Sequence, residues 1–366
     1  MAKILFFTII LLSTMLACSK GNDNPEDSNT LNNLYFPPLN SAEWAAVTPE
    51  SLDWKVQQLD SLYNFLSANG TRAFIVLKGG KVVVEKYWGK NIANTASFNR
   101  ESKWYWASAG KTITAFLTGI AQQEKLLNIS DRTSAYLGKW TSMPEEKENL
   151  ITIRHQLTMT TGLDYAASDP FCTDLGCLDY KADAGTQWYY HNAPYTLLDA
   201  VITKASGMDF NLFTDQKLEA ETGMSGQWIA DGYNNIYWSV PRDMARFGLL
   251  ILAKGKWAET SVMSDTTYFA EMTRTSQSLN PSYGYLWWLN GKNSLILPGL
   301  PYSFNTKFSP NAPDDLIAGA GKNGQFVDVI PSLNLVVIRM GEAPEGSQIS
   351  APFHDEMWEK IMAVLP

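Results

Sequence analysis

Two β-patterned segments stand at opposite ends of this chain, and any fold must bring them together. "AFIVLKGGKVVVEKYW" (73–88) is a pair of apolar runs around Gly79-Gly80, a hairpin signal. "QFVDVIPSLNLVVIRM" (325–340) repeats the pattern around Pro331-Ser332-Leu333-Asn334. Neither hairpin makes a stable sheet alone, since three or more strands with a covered face are needed. The stretch between them, about 125–300, reads mostly as helix and loop, as in "YTLLDAVITKASG" (195–207) and "PRDMARFGLLILAKG" (241–255), each closed by Gly. Before the first hairpin, "TPESLDWKVQQLDSLYNFL" has Thr48 as N-cap and Pro49 at N1. Leu52, Val56, Leu59, Leu62 and Leu66 follow at helical spacing. After the second, a helix from near Pro352 carries Phe353, Met357, Trp358, Ile361 and Leu365 on one face. The predicted class is α+β, an αβα sandwich: one antiparallel sheet built from both chain ends, flanked by terminal helices, with a helix-rich lobe (about 112–300) inserted between. Two lobes imply a cleft.

The N-terminus precedes this fold. Lys3, the apolar run Ile4 to Leu12 and Met15-Leu16-Ala17-Cys18 have the order of a cleaved export signal over 1–18, and the apolar run is too short to span a bilayer. The pattern resembles a bacterial lipoprotein signal, which implies lipidation at Cys18 and a place in the cell envelope, on the periplasmic side or at the outer-membrane surface. The following "SKGNDNPEDSNTLNN" is polar and aperiodic, a predicted tether over 19–40 leading to a domain at 41–366. Outside the cytosol Cys172 and Cys177, spaced C-x4-C, are expected to form a local disulfide. No His sits near that pair and there is no H-E-x-x-H, so no metal site is expected. No cofactor is called for. A formal charge of −8 without a basic run argues against nucleic acid as partner, and leaves a lipid anchor as the only expected membrane contact.

The chemistry concentrates in three short motifs. Ser108-Ala109-Gly110-Lys111 is the sole S-x-x-K. At i and i+3 the two side chains share a helix face, and a helix start aims free N–H groups at an oxyanion formed there. Lysine becomes a base once burial, or a neighbouring cation, lowers its pKa from about 10.4. Tyr190-His191-Asn192 precedes a helical run. Tyr190 can pass protons, Asn192 can donate an amide N–H to a substrate carbonyl, and His191 is placed to line the site. A second Y-x-N, Tyr233-Asn234-Asn235, shows that this motif also arises by chance. Lys322-Asn323-Gly324 opens the strand that begins at Gln325, where a cation can hold a substrate carboxylate and help depress the pKa of Lys111 or Tyr190. Lys78-Gly79-Gly80 also fits K-x-G but reads as a turn.

The order S-x-x-K, Y-x-N, K-x-G resembles the serine β-lactamase and penicillin-binding-protein superfamily. The tyrosine motif is similar to its class C β-lactamase, DD-peptidase and esterase branch. "TIRHQLTMTTGL", "VPRDMARFGLLILAKGKW", "YGYLWWL" and "KNGQFVDVIPSLNLVVIRMG" agree, so the likeness covers about 50–365. It implies a β-lactamase/transpeptidase-like fold with Ser108 as acylated nucleophile and Lys111 and Tyr190 sharing acid–base work. Asn192 and Lys322 would position substrate, and the backbone N–H groups of Ser108 and Gln325 would form the oxyanion hole. Asn323 stands where β-lactamases carry Thr or Ser, and His191 is bulky for its position. These departures fit the esterases and amide hydrolases similar to 6-aminohexanoate-dimer hydrolase better than a true class C β-lactamase or DD-peptidase.

The expected partner is therefore a small ester, amide or peptide. A lipoprotein that binds peptide or β-lactam without turnover is the alternative from a different class. A Ser-His-Asp hydrolase is disfavoured, because no G-x-S-x-G exists and His155 and His354 sit in helical patterns. Trp104-Tyr105-Trp106 and Trp287-Trp288 would either wall an apolar acyl pocket or pack the core.

Overall fold

A computed structural model describes residues 33–342 and 349–366. The predicted signal segment with Cys18, and most of the predicted tether, lie outside the described residues. Among the described residues no helix is long and apolar enough to cross a membrane.

The strands that concern us are β1 (Thr71–Lys78), β2 (Lys81–Tyr87), β3 (Trp104–Tyr105), β4 (Gln227–Asp231), β5 (Asn234–Ser239), β6 (Trp288–Leu289), β7 (Ile317–Gly321), β8 (Gln325–Ile330) and β9 (Leu335–Gly341). The helices that concern us are α1 (Leu59–Ala68), α2 (Lys111–Gln123), α3 (Asn192–Ser206), α4 (Pro241–Leu252) and α5 (Ala351–Val364). Six strands form one antiparallel sheet in the order β2-β1-β9-β8-β7-β6, so the two ends of the chain meet where β1 pairs β9 from Lys78↔Leu335 to Thr71↔Gly341. A smaller sheet, β3-β5-β4, lies apart from it.

The central strands read as near-continuous apolar runs because helices cover both faces. Alternation in β8 shows which residue meets which layer. Phe326 stacks with Phe353 of α5 at 6.1 Å, and Phe353 in turn stacks on Phe65 of α1 at 5.4 Å. On the same face the buried Asp328 accepts from Trp358 Nε1 and pairs with His354 Nε2, both at 2.8 Å. Val327 points the other way, onto α4. There the backbone of Gly248 is so near the sheet that a Cβ would stand 2.4 Å from Val336 Cγ1 and 3.2 Å from Val327 Cγ2. Arg339 of β9 is fully buried, and its fork is satisfied by Thr71 Oγ1 and the carbonyls of Asn69, Asn323, Gly324 and Glu342, as a buried cation requires.

Four expectations change. The helix expected from Thr48 is broken: Pro49–Leu52 is a short 3-10 turn ended by Asp53 in the left-handed conformation (φ 58°), and α1 starts only at Leu59. The break buries Trp54 and lets Lys55 N donate to Val364 O at the end of α5. The predicted tether is too long, since Tyr35 N bonds Gly79 O, Phe36 packs edge-on to Trp257, and Pro38 O accepts from Arg246. The inserted stretch 112–300 is not one helical lobe. It supplies α4 to the face of the large sheet, β6 to its edge, and the β4–β5 hairpin. Finally, Lys322-Asn323-Gly324 does not open a strand but forms the turn between β7 and β8, with Asn323 and Gly324 at positive φ.

The α4 contact yields a test. Gly248→Ala should lower stability by about 1–3 kcal/mol through overpacking, read by urea unfolding, and Val336→Ala in the same chain should restore part of the loss.

Candidate active site

Ser108 sits in the 3-10 turn Ala107–Gly110 that leads into α2. Ala107 adopts φ 47°, a left-handed conformation that costs a non-glycine residue about 1–3 kcal/mol and is commonest at functional turns. The strained turn is held from two sides. Trp106 N donates to Tyr237 O of β5, and on the other flank the end of β7 presses against it. A Cβ at Gly321 would lie 2.9 Å from Ser108 N and 2.8 Å from Ala109 N. Only glycine permits that approach.

Lys111 Nζ donates to Ser108 Oγ at 2.9 Å and to Asn192 Oδ1 at 2.8 Å. The lysine is 3% exposed, because α2 is buried along nearly its whole circumference. Burial pushes its pKa down to about 7, with the charge of Asp199 opposing. The sequence expectation of help from a second cation is corrected, since Lys322 is not among the causes. Asn192, Tyr195 and Asp199 fall at i, i+3 and i+7 of α3 and so share one face; the Tyr195 ring centroid lies 4.1 Å from Lys111 Nζ. The Asp199 carboxyl is itself buried, and that burial raises its pKa to about 7. Asn235 Nδ2, donating to Oδ2 at 2.8 Å, and Lys111 pull the other way. Among the described residues its second oxygen has no hydrogen-bond partner.

Tyr190 is buried against Trp288, ring centroids 6.0 Å apart. Burial pushes its hydroxyl well above the ordinary tyrosine range. Ser108 is near enough to pull the other way, although no hydrogen bond of ordinary geometry joins them. His191 is buried, its pKa pushed down to about 4 by burial, with Asp164 opposing.

A cavity of about 300 Å³ opens over this group, lined by Ala107, Ser108 and Lys111, by Asn192 and Lys322, and by Phe171, Asp231, Asn234, Asn235 and Ile236. Of the predicted binding residues Asn192 and Lys322 line it, and His191, Asn323, Gly324 and Gln325 do not. Asn323 Nδ2 donates to Tyr105 Oη at 2.7 Å, Gly324 faces Arg339 and Phe353, and the Gln325 side chain is fully buried against the backbone of Gly341. The strand beside the serine is instead Gly319-Ala320-Gly321. Trp104, Trp106, Trp287 and Trp288 are core residues, so the apolar lining falls to Phe171 and Ile236. Phe171 adjoins the disulfide Cys172–Cys177, and Tyr233 Oη donates to Asp174 Oδ2 at 2.6 Å, which ties that loop to the tip of the β4–β5 hairpin.

Asp199, Asn235 and Asp231 were not foreseen. The spacing of Asp199 from Asn192 carries a signal, and Asn234-Asn235 belongs to the second Y-x-N, whose sequence alone does not set it apart from chance. His155 caps the short helix Ile153–Leu157, and His354 pins α5. Another cavity, about 240 Å³ with Arg242, Asp243 and Arg246 in its wall, shares no lining residue with the first. Arg242 is engaged by Glu85, and Arg246 by the carbonyls of Thr222 and Pro38. Among the described residues no group of three or more His, Cys, Asp or Glu could hold a metal ion.

Comparison with known proteins agrees with the fold. The β-lactamase family model matches residues 68–346. No curated protein matches the chain significantly. Among solved structures, it is similar to a proposed 6-aminohexanoate-dimer hydrolase from Bacillus anthracis (TM-score 0.68, 16% identity, 91% of each chain covered). It is similar also to a penicillin-binding-protein homologue from Caulobacter crescentus (TM-score 0.67, 12% identity, 88% of this chain and 100% of that one). A family VIII carboxylesterase matches with TM-score 0.63 and 14% identity over 85% of this chain and 97% of that one. At these identities the likenesses show a shared fold.

The buried lysine has a measurable signature. The unfolded chain holds a proton there up to the ordinary range near 10.5, the folded chain only up to about 7, so wild-type stability rises with pH across that window. Lys111→Met should therefore melt higher than wild type at pH 7, with the gap closing towards pH 10 in thermal scans.

Proposed function

The chain belongs to the β-lactamase family, and on that premise we propose that it is a serine hydrolase cleaving an ester or amide through an acyl-enzyme on Ser108. The observation that carries this reading is the 2.9 Å contact between Ser108 Oγ and a buried Lys111 whose pKa lies at about 7, so that a neutral amine is available as base near neutral pH. Lys111 takes the hydroxyl proton as Oγ attacks the substrate carbonyl. Tyr190, held protonated by burial, donates to the leaving group, and the same two groups then activate the water that releases the acyl chain. This favours Lys111 over Tyr190 as the resting base. Asn192 is fixed by its bond to Lys111 and keeps its amide N–H groups for the substrate. The oxyanion hole is assigned to Ser108 N–H and the N–H of Lys322, which follows Gly321 at the serine, in place of Gln325.

Within the family, ester and amide hydrolysis is favoured over β-lactam cleavage. The strand beside the nucleophile is Gly-Ala-Gly and presents no side chain to clamp a β-lactam carboxylate, Lys322 standing only at its end. The names of the Bacillus anthracis protein and of the carboxylesterase agree with that preference. We also propose that the protein is held in the bacterial envelope by lipid on Cys18, which rests on the N-terminal residue pattern and on a disulfide suited to an oxidising compartment.

Intact mass after treatment with a fluorophosphonate and with a 4-nitrophenyl ester is the test. Wild type should form an adduct and turn over the ester, and Ser108→Ala should lose the adduct and at least roughly 10³-fold in turnover. An adduct without turnover would point to the non-turnover receptor. For a neutral-lysine base kcat/KM rises with pH through about 7. Removing the opposing charge in Asp199→Asn should move that rise to lower pH.

A further inference from the structure

Strand β5 meets the site in three ways. The Tyr237 carbonyl holds the serine turn through Trp106 N, and Asn234, Asn235 and Ile236 line the cavity over Ser108. Asn235 Nδ2 also donates to Asp199 Oδ2 at 2.8 Å, and that bond reaches the base. Asp199 is buried on the face of α3 that carries Asn192 and Tyr195. Among the described residues the Asn235 amide is the only hydrogen-bond donor to its carboxyl, because the other oxygen is buried without a partner. A carboxylate taken out of water needs donors to stay charged, and here one amide meets that need. Asp199 in turn is the charge that opposes loss of the proton from Lys111.

Other titratable groups leave this pair to itself. Elements packed against α3 carry Tyr136, Arg154, His155 and Tyr237. Those packed against α2 carry Asp215, Lys217, Glu219, Tyr268 and Glu271. Among the described residues none of these acts on Lys111 or on Asp199, and neither do Lys322 and Asp231 in the cavity wall. Tyr190 and Tyr195 lie against the amine, but burial holds both hydroxyls protonated. Without the Asn235 bond the buried carboxyl takes up a proton and its charge disappears. Lys111 then releases its own proton more readily.

We propose that Asn235 is a positioning residue for the base: its amide keeps Asp199 ionised, so that the hairpin walling the substrate cavity also governs how tightly Lys111 holds its proton. Its meaning in catalysis rests on the hydrolase reading above, to which it adds a residue that tunes the reaction without touching the reacting atoms. A change in this wall that suits another substrate therefore also moves the pH at which the enzyme works.

The test follows two midpoints. One is the pH at which kcat/KM for 4-nitrophenyl acetate rises. The other is the pH at which the ε-carbon of Lys111 titrates by NMR in protein carrying carbon-13-labelled lysine, assigned as the signal that Lys111→Met removes. Asn235→Leu has a similar volume and no donor, and should shift both midpoints to lower pH by as much as Asp199→Asn does. The double variant should shift no further than Asp199→Asn alone, since no charge is left for the amide to hold. Asn235→Asp should keep both midpoints at or above the wild-type value, because two adjacent carboxyls share one proton and retain one negative charge. A hairpin that merely loses its shape lowers the plateau of the rate profile and leaves the lysine titration in place. Unmoved midpoints in Asn235→Leu, a double variant that shifts beyond Asp199→Asn, or Asn235→Asp moving with Asn235→Leu would each overturn the proposal. The expected NMR shifts without any Ser108-dependent turnover in the wild type would overturn the hydrolase reading and leave the link from Asn235 to Lys111 standing.

Discussion

An amine kept out of water is the condition on which this structure turns. Among the described residues Lys111 has no carboxylate in contact with it, only a hydroxyl, an amide oxygen and two aromatic faces. Depressing its pKa from 10.5 to about 7 is worth roughly 4–5 kcal/mol, and the surrounding fold must sustain it. Hence α2 is buried on all sides rather than along a stripe, and α3 lies across it with Asn192 and Tyr195 facing the amine. Asp199 sits one turn further along, where it acts through its field and makes no ion pair that would pin the proton.

The sheet behind the site is a rigid backing rather than a participant, except at one point. Arg339, deep in β9, binds the carbonyls of Asn323 and Gly324 and so fixes the turn after β7, while the missing side chain of Gly321 lets that strand touch the serine backbone. The hairpin β4–β5 is different in kind. Its base is bound to β3 beside the nucleophile, and its tip reaches the disulfide loop through one side-chain hydrogen bond.

What was legible in the sequence follows from how each element signals itself. The two hairpins and the last helix are strongly apolar and bounded by turn residues, so their pairing into one sheet could be foreseen. Ser108, Lys111, Tyr190 and Asn192 announced themselves by spacing, and the structure gathers them. β7 was invisible because Ile-Ala-Gly-Ala-Gly has almost no strand propensity; it exists because β8 and β6 pair with it. With that strand unseen, Lys322-Asn323-Gly324 was read one element too far along, and Asn323, Gly324 and Gln325 were drawn into a site they do not line. α4 looked like part of an inserted lobe because periodicity says which face is apolar and not which partner covers it. Asp199 and Asp231 escaped because a lone aspartate is ordinary until its surroundings are known.

The register of β1 against β9, Thr71 opposite Gly341, has a consequence for how the protein is made. Synthesis runs from the N-terminus, so β1 and β2 leave the ribosome long before any partner for the inner edge of β1 exists. Until the last strand has emerged, Phe74, Ile75, Val76 and Leu77 belong to a two-stranded ribbon with an open edge, the arrangement most prone to pair with the wrong chain. Closing the sheet is among the longest-range events the chain can undergo and is correspondingly slow. A protein built this way has little to gain from folding before its last strand is available to close the sheet.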